Sequence, residues 1–444
     1  ESASLLGMQD RLEEALDEAR RGFTLQPLHP GASAAQAQIL LLLGRDDEAI
    51  GVLQAAMEAL QSSSIASFLA SLLTARERYD EALQAWEVCQ VLMPLMEAPM
   101  RTWIHSNLSH MQYLLGHIEE SKRLAIASGD PFLAELAGRL DETQFAHHRR
   151  MKLEVPFIKQ HHVTCVPTTM AMLGRYWYID LEHLAIAEQI TYGGTATHRE
   201  RSWAEAHGWI VREFTLTWDA AVALLDRSVP FTMTTTSGDQ GHEQAVVGYD
   251  THRRSLLIRD PSTPSIREMD VDSLLRIEQA SGPRAMIMLP ASQKHRLDGL
   301  ALPEADERDL RHQMMLALDR HDRAEAQRIA NQLPPGRNSL FARATLAAYD
   351  NNVLAMLQVL DESAAMFPDD TALLMQKQAC LAQLSRAGER LELLRGLATR
   401  PDAHPIFIRI YAEALSASAE DHETALGYLK RYLRNVGVDA QGQR

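Results

Sequence analysis

The chain has 444 residues, of which 46% are hydrophobic and 23% charged, and its formal net charge at pH 7 is -15. This length allows two or three domains with separate cores, and the composition is that of a globular protein. An acidic chain without an offsetting basic stripe is not expected to bind nucleic acid. No apolar run approaches the roughly 18 residues that a membrane span needs, so none is predicted.

The cysteines indicate the redox compartment. Cys89, Cys165 and Cys380 are too few and too scattered for a disulfide framework. We therefore expect a reducing compartment and a cytoplasmic location. The chain begins with Glu1 rather than methionine, so removal of a secretion signal from a longer precursor stays open.

Residues 1–148 contain a repeated pattern typical of helical hairpins. A small residue recurs in the motifs LEEAL, DDEAI, YDEAL and IEESK, at intervals of 34, 33 and 39 residues. A glycine precedes two of these residues, where a tight turn is expected, and a proline follows two of them, where a helix should end. The pattern resembles tetratricopeptide repeats, although their tryptophan and tyrosine are mostly absent, and a simple amphipathic bundle is the alternative. The small residues are Ala15, Ala49, Ala82 and Ser121, the glycines Gly44 and Gly116, and the prolines Pro27 and Pro94.

Residues 152–290 follow a different pattern. The segment CVPTTMAMLGRYWY predicts an apolar helix from Cys165 to about Tyr178, and shorter helices follow at residues 181–189 and 199–207. Five later segments are rich in β-branched residues and bounded by Gly, Pro or Asp, which predicts strands. Helices followed by an antiparallel sheet indicate an α+β domain. The strand segments are WIVREFTL, PFTMTTT, EQAVVGYD, SLLIRD and AMIMLP.

Helical repeats are expected to resume at about residue 303, after the linker PASQKHRLDGLALPEADE. Ala355 and Ala425 lie 70 residues apart, which corresponds to two periods near 35. The sequence therefore predicts an α+β domain at residues 152–290 between two all-α repeat arrays, at residues 1–148 and 303–438.

Cys165 lies where the first helix of the central domain should begin. Thr164 is a suitable N-cap, and Pro167 is tolerated in a first helical turn. The backbone N–H groups of a helix start lower the pKa of a thiol and favour the nucleophilic thiolate. By itself the cysteine fits equally well as a small buried hydrophobic residue, the commoner role of a free cysteine.

Three further side chains give Cys165 a catalytic setting. Gln160 precedes it by five residues, close enough for the amide to donate to an oxyanion beside the Cys165 N–H. His242 starts a predicted strand and can pair with the thiolate and later protonate a leaving amine. Asp260 ends the next strand and can fix the tautomer of the histidine. We predict these four residues as the catalytic group, in the order found in papain-type sites.

These residues also carry a resemblance to a known family. Residues 152–290 resemble the bacteriocin-processing cysteine peptidases, which cleave double-glycine leader peptides. That family has a glutamine, then CGP opening a helix, a histidine starting an apolar strand that ends in GYD, and a strand ending in DP. The chain has Gln160, CVP at 165–167, HEQAVVGYD at 242–250 and DP at 260–261. The resemblance implies a papain-like fold and a cysteine peptidase activity.

The chain departs from that pattern at three positions near the predicted site. Val166 replaces the usual glycine, and Glu243 and Gln244 replace an apolar pair after the histidine. Alternation along a strand predicts that Glu243 points away from His242. None of these changes removes a catalytic group, but a retained fold with lost or altered chemistry stays open.

No cofactor or metal is predicted. His161 and His162 lie beside the cysteine, but no second pair of ligands follows at metal spacing. Residues that line a substrate, or solvated histidines, account for them more simply.

The predicted function is cleavage of a peptide or protein by a cysteine peptidase whose helical repeats bind the substrate or a partner on a concave surface. One alternative is acyl transfer through the same thioester, as in transpeptidation, cyclisation or transglutamination. Another is a non-catalytic scaffold in which the repeats bind and the central domain is inert. The identity of the substrate, the cleavage sequence and the oligomeric state stay open.

Overall fold

The computed structural model describes residues 2–9, 11–27, 29–140, 148–237, 240–416 and 421–436. The chain packs as two compact units. The first unit comprises Glu1–Lys152 and Gly248–Asp270, and the second comprises Leu153–Val247 and Val271–Arg444.

The N-terminal part of the first unit is a series of helices in which consecutive members pack against each other. Their bounds are α1 (Ser2–Met8), α2 (Leu12–Leu25), α3 (Pro30–Leu42), α4 (Asp46–Leu60), α5 (Ser63–Ala75), α6 (Tyr79–Val91), α7 (Ala98–Leu114), α8 (Ile118–Ala127) and α9 (Pro131–Arg139).

The small residues of the repeat occupy equivalent places in these helices. Each lies near the start of the second helix of a pair and is fully buried, so a larger side chain would push neighbouring helices apart. Gly44 and Gly116 follow α3 and α7 with φ values of +70° and +81°, the left-handed turn that the pattern predicts. The four small residues are Ala15 in α2, Ala49 in α4, Ala82 in α6 and Ser121 in α8.

The central region combines short helices with a sheet of seven strands. All five strands predicted from the sequence are present, and two short polar strands, β1 and β6, were not predicted because they lack an apolar alternation. The elements are β1 (Arg150–Lys152), α10 (Cys165–Tyr176), α11 (His183–Ile190), α12 (Thr197–Ala206), β2 (Trp209–Thr215), α13 (Trp218–Asp226), β3 (Phe231–Ser237), β4 (Gln240–Asp250), β5 (Ser255–Arg259), β6 (Ile266–Asp270), α14 (Val271–Ile277), β7 (Arg284–Pro290) and a 3-10 helix (Ala291–Leu297).

The strand order is β2-β7-β3-β4-β5-β6, and β1 pairs with β4. The pairs β1–β4, β2–β7, β3–β4, β3–β7 and β5–β6 are antiparallel. Strand β4 passes from the second unit to the first between Val247 and Gly248. In the second unit, His242 on β4 lies opposite Thr235 on β3, which fixes the register of the strand that carries the predicted catalytic histidine.

The C-terminal part of the second unit is again helical. Its first helix begins at Ala305, close to the predicted resumption at residue 303, whereas the predicted end at residue 438 lies outside the described residues. The helices are α15 (Ala305–Asp319), α16 (Arg323–Ala330), α17 (Arg337–Tyr349), α18 (Val353–Met366), α19 (Thr371–Gln383), α20 (Ala387–Ala398), α21 (Pro405–Leu415) and α22 (His422–Val436).

Helix α15 is attached to the central region by a buried arginine. Arg308 is 2% exposed and donates to the Thr215 hydroxyl at 3.0 Å and to the Gly282 carbonyl at 2.7 Å. On α12, Arg201 donates to Asp309 at 2.8 Å. These bonds satisfy buried polar groups and hold helix α15 against strand β2 and helix α12 within the second unit.

The chain therefore has an α+β central region between two helical regions, as the sequence predicts. The domain boundaries at residues 148, 152, 290 and 303 stay a prediction. In the described part of the chain, no helix is long and apolar enough to span a membrane.

Gly248 is required by a close approach of two strands in the first unit. A methyl group on this residue would overlap the carbonyl oxygen of Met151 on β1 and lie 2.9 Å from the Leu257 side chain. Because a paired backbone cannot move aside cheaply, we expect Gly248→Ala to destabilise the protein by about 1–3 kcal/mol. The measurement is the midpoint of thermal unfolding.

Gly51 provides the control for that substitution. It is exposed on α4 with nothing near its missing Cβ, so Gly51→Ala should stabilise the helix slightly, by at most about 1 kcal/mol. Equal melting temperatures for the two variants would contradict the close approach at Gly248.

Candidate active site

Cys165 is the first residue of helix α10, as predicted. Thr164 occupies the N-cap position, but its side chain makes no capping hydrogen bond. Instead its hydroxyl donates to the His161 carbonyl at 3.0 Å and accepts from the His161 N–H at 2.9 Å. The threonine therefore closes the turn before the helix and leaves the first N–H groups of the helix uncapped by its oxygen.

The sulfur of Cys165 lies between two donors of strand β4. It is hydrogen-bonded to the imidazole of His242 and to the main-chain N–H of Glu243. Burial by itself raises the pKa of the thiol, but these hydrogen bonds and the charge of His242 act against it, and the pKa of Cys165 is lowered overall. The structure thus brings Cys165 and His242, two of the four predicted residues, into contact, and their catalytic roles stay a prediction.

Gln160 lies in the segment that leads to helix α10. Its Oε1 atom is buried and has no hydrogen-bond partner among the described residues. An amide that is buried without full pairing is unusual, because an unmet hydrogen bond costs free energy. The unpaired atom is an acceptor, whereas an oxyanion would need the Nε2 donor, so the predicted oxyanion role of Gln160 stays a prediction.

Asp260 directly follows strand β5 and belongs to the first unit. Its carboxylate is fully buried. One oxygen accepts from the N–H and the hydroxyl of Ser262 at 2.8 and 2.6 Å, and the other accepts from Arg267 at 3.0 Å. These bonds hold the carboxylate rigidly, and its role toward His242 stays a prediction.

The two polar residues after His242 lie on opposite faces of β4. The Glu243 carboxylate accepts from the Thr234 hydroxyl, whereas Gln244 donates to the Thr235 hydroxyl at 2.9 Å. Thr235 is the residue opposite His242 in the register. Glu243 therefore points away from the imidazole, as strand alternation predicts.

One of the two histidines close to Cys165 in the sequence makes a ring contact. His161 stacks on His183 of α11, with 5.5 Å between ring centroids and an interplanar angle of 17°. Among the residues that the structure describes, no group of three His, Cys, Asp or Glu side chains could hold a metal ion.

Sequence reasoning missed the residues that fix Glu243. The Thr169 hydroxyl of α10 donates to the Glu243 carbonyl at 3.2 Å. Arg284, which starts strand β7, lies 3.5 Å from the Glu243 carboxylate and 2.8 Å from Glu200. An arginine at the head of the apolar segment AMIMLP was visible in the sequence, but its partners come from elements far apart in the chain.

Comparison with known proteins finds a family match for the central region of the chain. Residues 152–281 match the sequence model of the Peptidase_C39 like family. This match contains Cys165 and His242, and it supports a similarity of the central region to cysteine peptidases. Among curated proteins, none matches the chain.

The solved structures that are similar to the chain include the following three. The peptidase domain of Streptococcus ComA, a bi-functional ABC transporter involved in a quorum sensing pathway, has 18% identity and a TM-score of 0.26, with 31% of this chain and 99% of that chain covered. Naa15/Naa10 bound to HypK-THB has 13% identity and a TM-score of 0.22, with 96% and 67% covered. The APC/C hetero-tetramer Cut9-Hcn1 has 11% identity and a TM-score of 0.24, with 99% and 72% covered.

The lowered pKa of Cys165 has a measurable consequence. A free cysteine titrates near a pKa of about 8.5, so little thiolate is present at pH 6. We expect iodoacetamide to alkylate Cys165 rapidly at pH 6, and Cys89 and Cys380 slowly, because burial raises the pKa of both. Mass spectrometry of the digested protein gives the three rates separately.

His242→Ala tests the cause of this reactivity. The variant removes the strongest contribution that lowers the pKa of Cys165, so alkylation at pH 6 should slow at least about tenfold while the rate at pH 9.5 changes little. An unchanged rate at pH 6 would show that the imidazole does not hold the thiolate.

Proposed function

We propose that the protein is a cysteine peptidase and that Cys165 is its nucleophile. The observation that carries this proposal is the sulfur at the start of helix α10, hydrogen-bonded to the imidazole of His242 and to the N–H of Glu243. A thiolate of lowered pKa beside a histidine is the arrangement that nucleophilic attack on a peptide carbonyl requires. The family match of residues 152–281 supports the same reaction class.

In the first half of the proposed reaction, the thiolate adds to the carbonyl carbon of the scissile bond. The C=O electron pair moves to oxygen, and the oxyanion is stabilised by the Cys165 N–H and the Gln160 amide. Collapse of this intermediate breaks the C–N bond. The imidazolium of His242 gives its proton to the departing nitrogen, so an amine leaves and a thioester remains on Cys165.

In the second half, water replaces the amine. Neutral His242 removes a proton as the water oxygen adds to the thioester carbon. The second tetrahedral intermediate collapses with cleavage of the C–S bond, which releases a carboxylic acid and restores the thiolate–imidazolium pair. In this proposal Asp260 keeps the histidine in the tautomer and orientation that both halves need.

We assign substrate or partner binding to the helical regions. Paired helices with buried small residues build extended surfaces, and such surfaces suit a peptide or a folded partner. The chemistry requires only a carbonyl carbon in a chain that fits beside Cys165. The substrate class is therefore a peptide or a protein.

Cys165→Ala should abolish turnover, because the thioester cannot form without the sulfur. The measurement is mass spectrometry of a proteome-derived peptide library after incubation with the full chain. Hydrolysis gives fragment pairs that together gain the mass of one water, whereas acyl transfer gives products that join two peptides. Cys380→Ala, in the distant helix α19, is the matched control and should cleave like the wild type.

Gln160→Ala should lower kcat about 100- to 1000-fold, the loss expected when one oxyanion donor is removed. Asp260→Asn should cost less, because an amide oxygen can still accept from Ser262 and the histidine is loosened rather than lost. Steady-state kinetics on a peptide found in the library experiment provides the comparison. A larger loss for Asp260→Asn than for Gln160→Ala would contradict the assigned roles.

A further inference from the structure

Two residues of helix α10 contact the same residue of strand β4. Cys165 and Thr169 are four residues apart on α10, so they share one face of the helix. Both are bonded to Glu243: its N–H donates to the Cys165 sulfur, and its carbonyl accepts from the Thr169 hydroxyl at 3.2 Å. The N–H and C=O of a strand residue point to the same side of the strand. Glu243 can therefore bond two helix residues that lie one turn apart.

This contact is sealed from solvent. Thr169 is fully buried and Glu243 is 1% exposed. An unpaired hydroxyl or carbonyl would be costly there, because water cannot replace the missing bond. The hydrogen bond between them therefore fixes the distance between the helix and the strand at the level of the sulfur.

The side chain of Glu243 is held by a separate set of contacts, on the face of the strand that points away from His242. Its carboxylate accepts from the Thr234 hydroxyl and lies 3.5 Å from Arg284. The same guanidinium lies 2.8 Å from Glu200 on α12 and 3.0 Å from Glu213 on β2. One buried cation thus faces three carboxylates that come from three elements.

The carboxyl groups around Arg284 respond differently to burial. Burial raises the pKa of Glu200 well above its usual range, although the charge of Arg284 acts against this rise. Burial has the same effect on Glu213, but the charge of Arg284 outweighs it and the pKa of Glu213 is lowered. The guanidinium thus faces one carboxyl group whose pKa burial has raised and another whose pKa its own charge has lowered.

We propose that the main-chain N–H of Glu243 is a second fixed donor to the Cys165 thiolate, in addition to the imidazole of His242. Thr169 and Arg284 are positioning residues for this donor, the first through the main chain of Glu243 and the second through its side chain. Thr169 holds the backbone of Glu243 against the helix, and Arg284 anchors its side chain. The proposal rests on the nucleophile assigned above and adds the residues that set how strongly the thiolate is held.

The proposal explains why a carboxylate is tolerated so near a thiolate. The titratable groups that act on the Cys165 thiol are His242 and Glu243, and the negative charge of Glu243 opposes thiolate formation. Arg284, 3.5 Å from the Glu243 carboxylate, offsets part of that charge.

Thr169→Val tests the inference in the full-length protein. Valine has the shape of threonine but no hydroxyl, so the Glu243 carbonyl loses its donor and the N–H is no longer held at the sulfur. We expect iodoacetamide alkylation of Cys165 at pH 6 to slow about threefold to tenfold, the effect of one weakened hydrogen bond, with an unchanged rate at pH 9.5. Thr169→Ser keeps the hydroxyl and should retain the wild-type pH profile.

Arg284→Lys is a second test variant, needed if Thr169→Val fails to fold because a buried hydrogen bond is lost. Lysine keeps the positive charge but cannot reach the surrounding carboxylates with the fork of a guanidinium, so the pH profile should shift in the same direction as in Thr169→Val. The melting temperature confirms that each variant is folded. Wild-type alkylation profiles in folded Thr169→Val and Arg284→Lys would overturn the proposal.

Alkylation separates this inference from the proposed function. The reagent needs only a thiolate and not a cleavable substrate. Loss of the pH 6 reactivity in Thr169→Val supports the second donor even if the wild type cleaves no peptide. Conversely, suppose that cleavage requires Cys165 and that Thr169→Val keeps the wild-type alkylation profile. This result would support the peptidase and refute the second donor.

Discussion

Burial opposes ionisation of a cysteine, and around Cys165 the structure opposes this effect with the start of one helix and two residues of one strand. Helix α10 begins at Cys165, so its free N–H groups and dipole favour negative charge there. Strand β4 adds the imidazole of His242 and the N–H of Glu243. The hydrogen bond from Thr169 to Glu243 and the ion pair of Glu243 with Arg284 hold the helix and the strand together here.

Register is maintained by polar contacts that a purely apolar core would not supply. An apolar interface between a helix and a strand tolerates sliding, because dispersion is not directional. The bond from Thr169 to Glu243, and the ion pairs of Arg284 behind it, are directional and buried. Such a network is costly if one member is missing, which is why it specifies one arrangement.

The first unit contains a buried network of its own at the other end of β4. Asp250 accepts from the Tyr113 hydroxyl at 2.8 Å and from Arg150 at 3.0 Å. Arg253 donates to Glu268 at 3.1 Å and covers the ring of Tyr113. Within this unit, helix α7 is thus tied to the strands through charges that pair with each other rather than with solvent.

Sequence by itself determined the features that depend on local chemistry. The 3.6-residue and 2-residue periods gave the helices and five of the strands, and the spacing of small residues gave the helical pairs. The helix start at Cys165 and the direction of the Glu243 side chain, away from His242, also follow from neighbours in the chain. Only the tertiary structure decided the features that join distant segments. Arg284 meets carboxylates from three other elements, and Gly248 must be glycine because β1, almost a hundred residues earlier, passes over it. Such contacts leave no periodic trace, since each depends on a single pair of residues that the fold brings together.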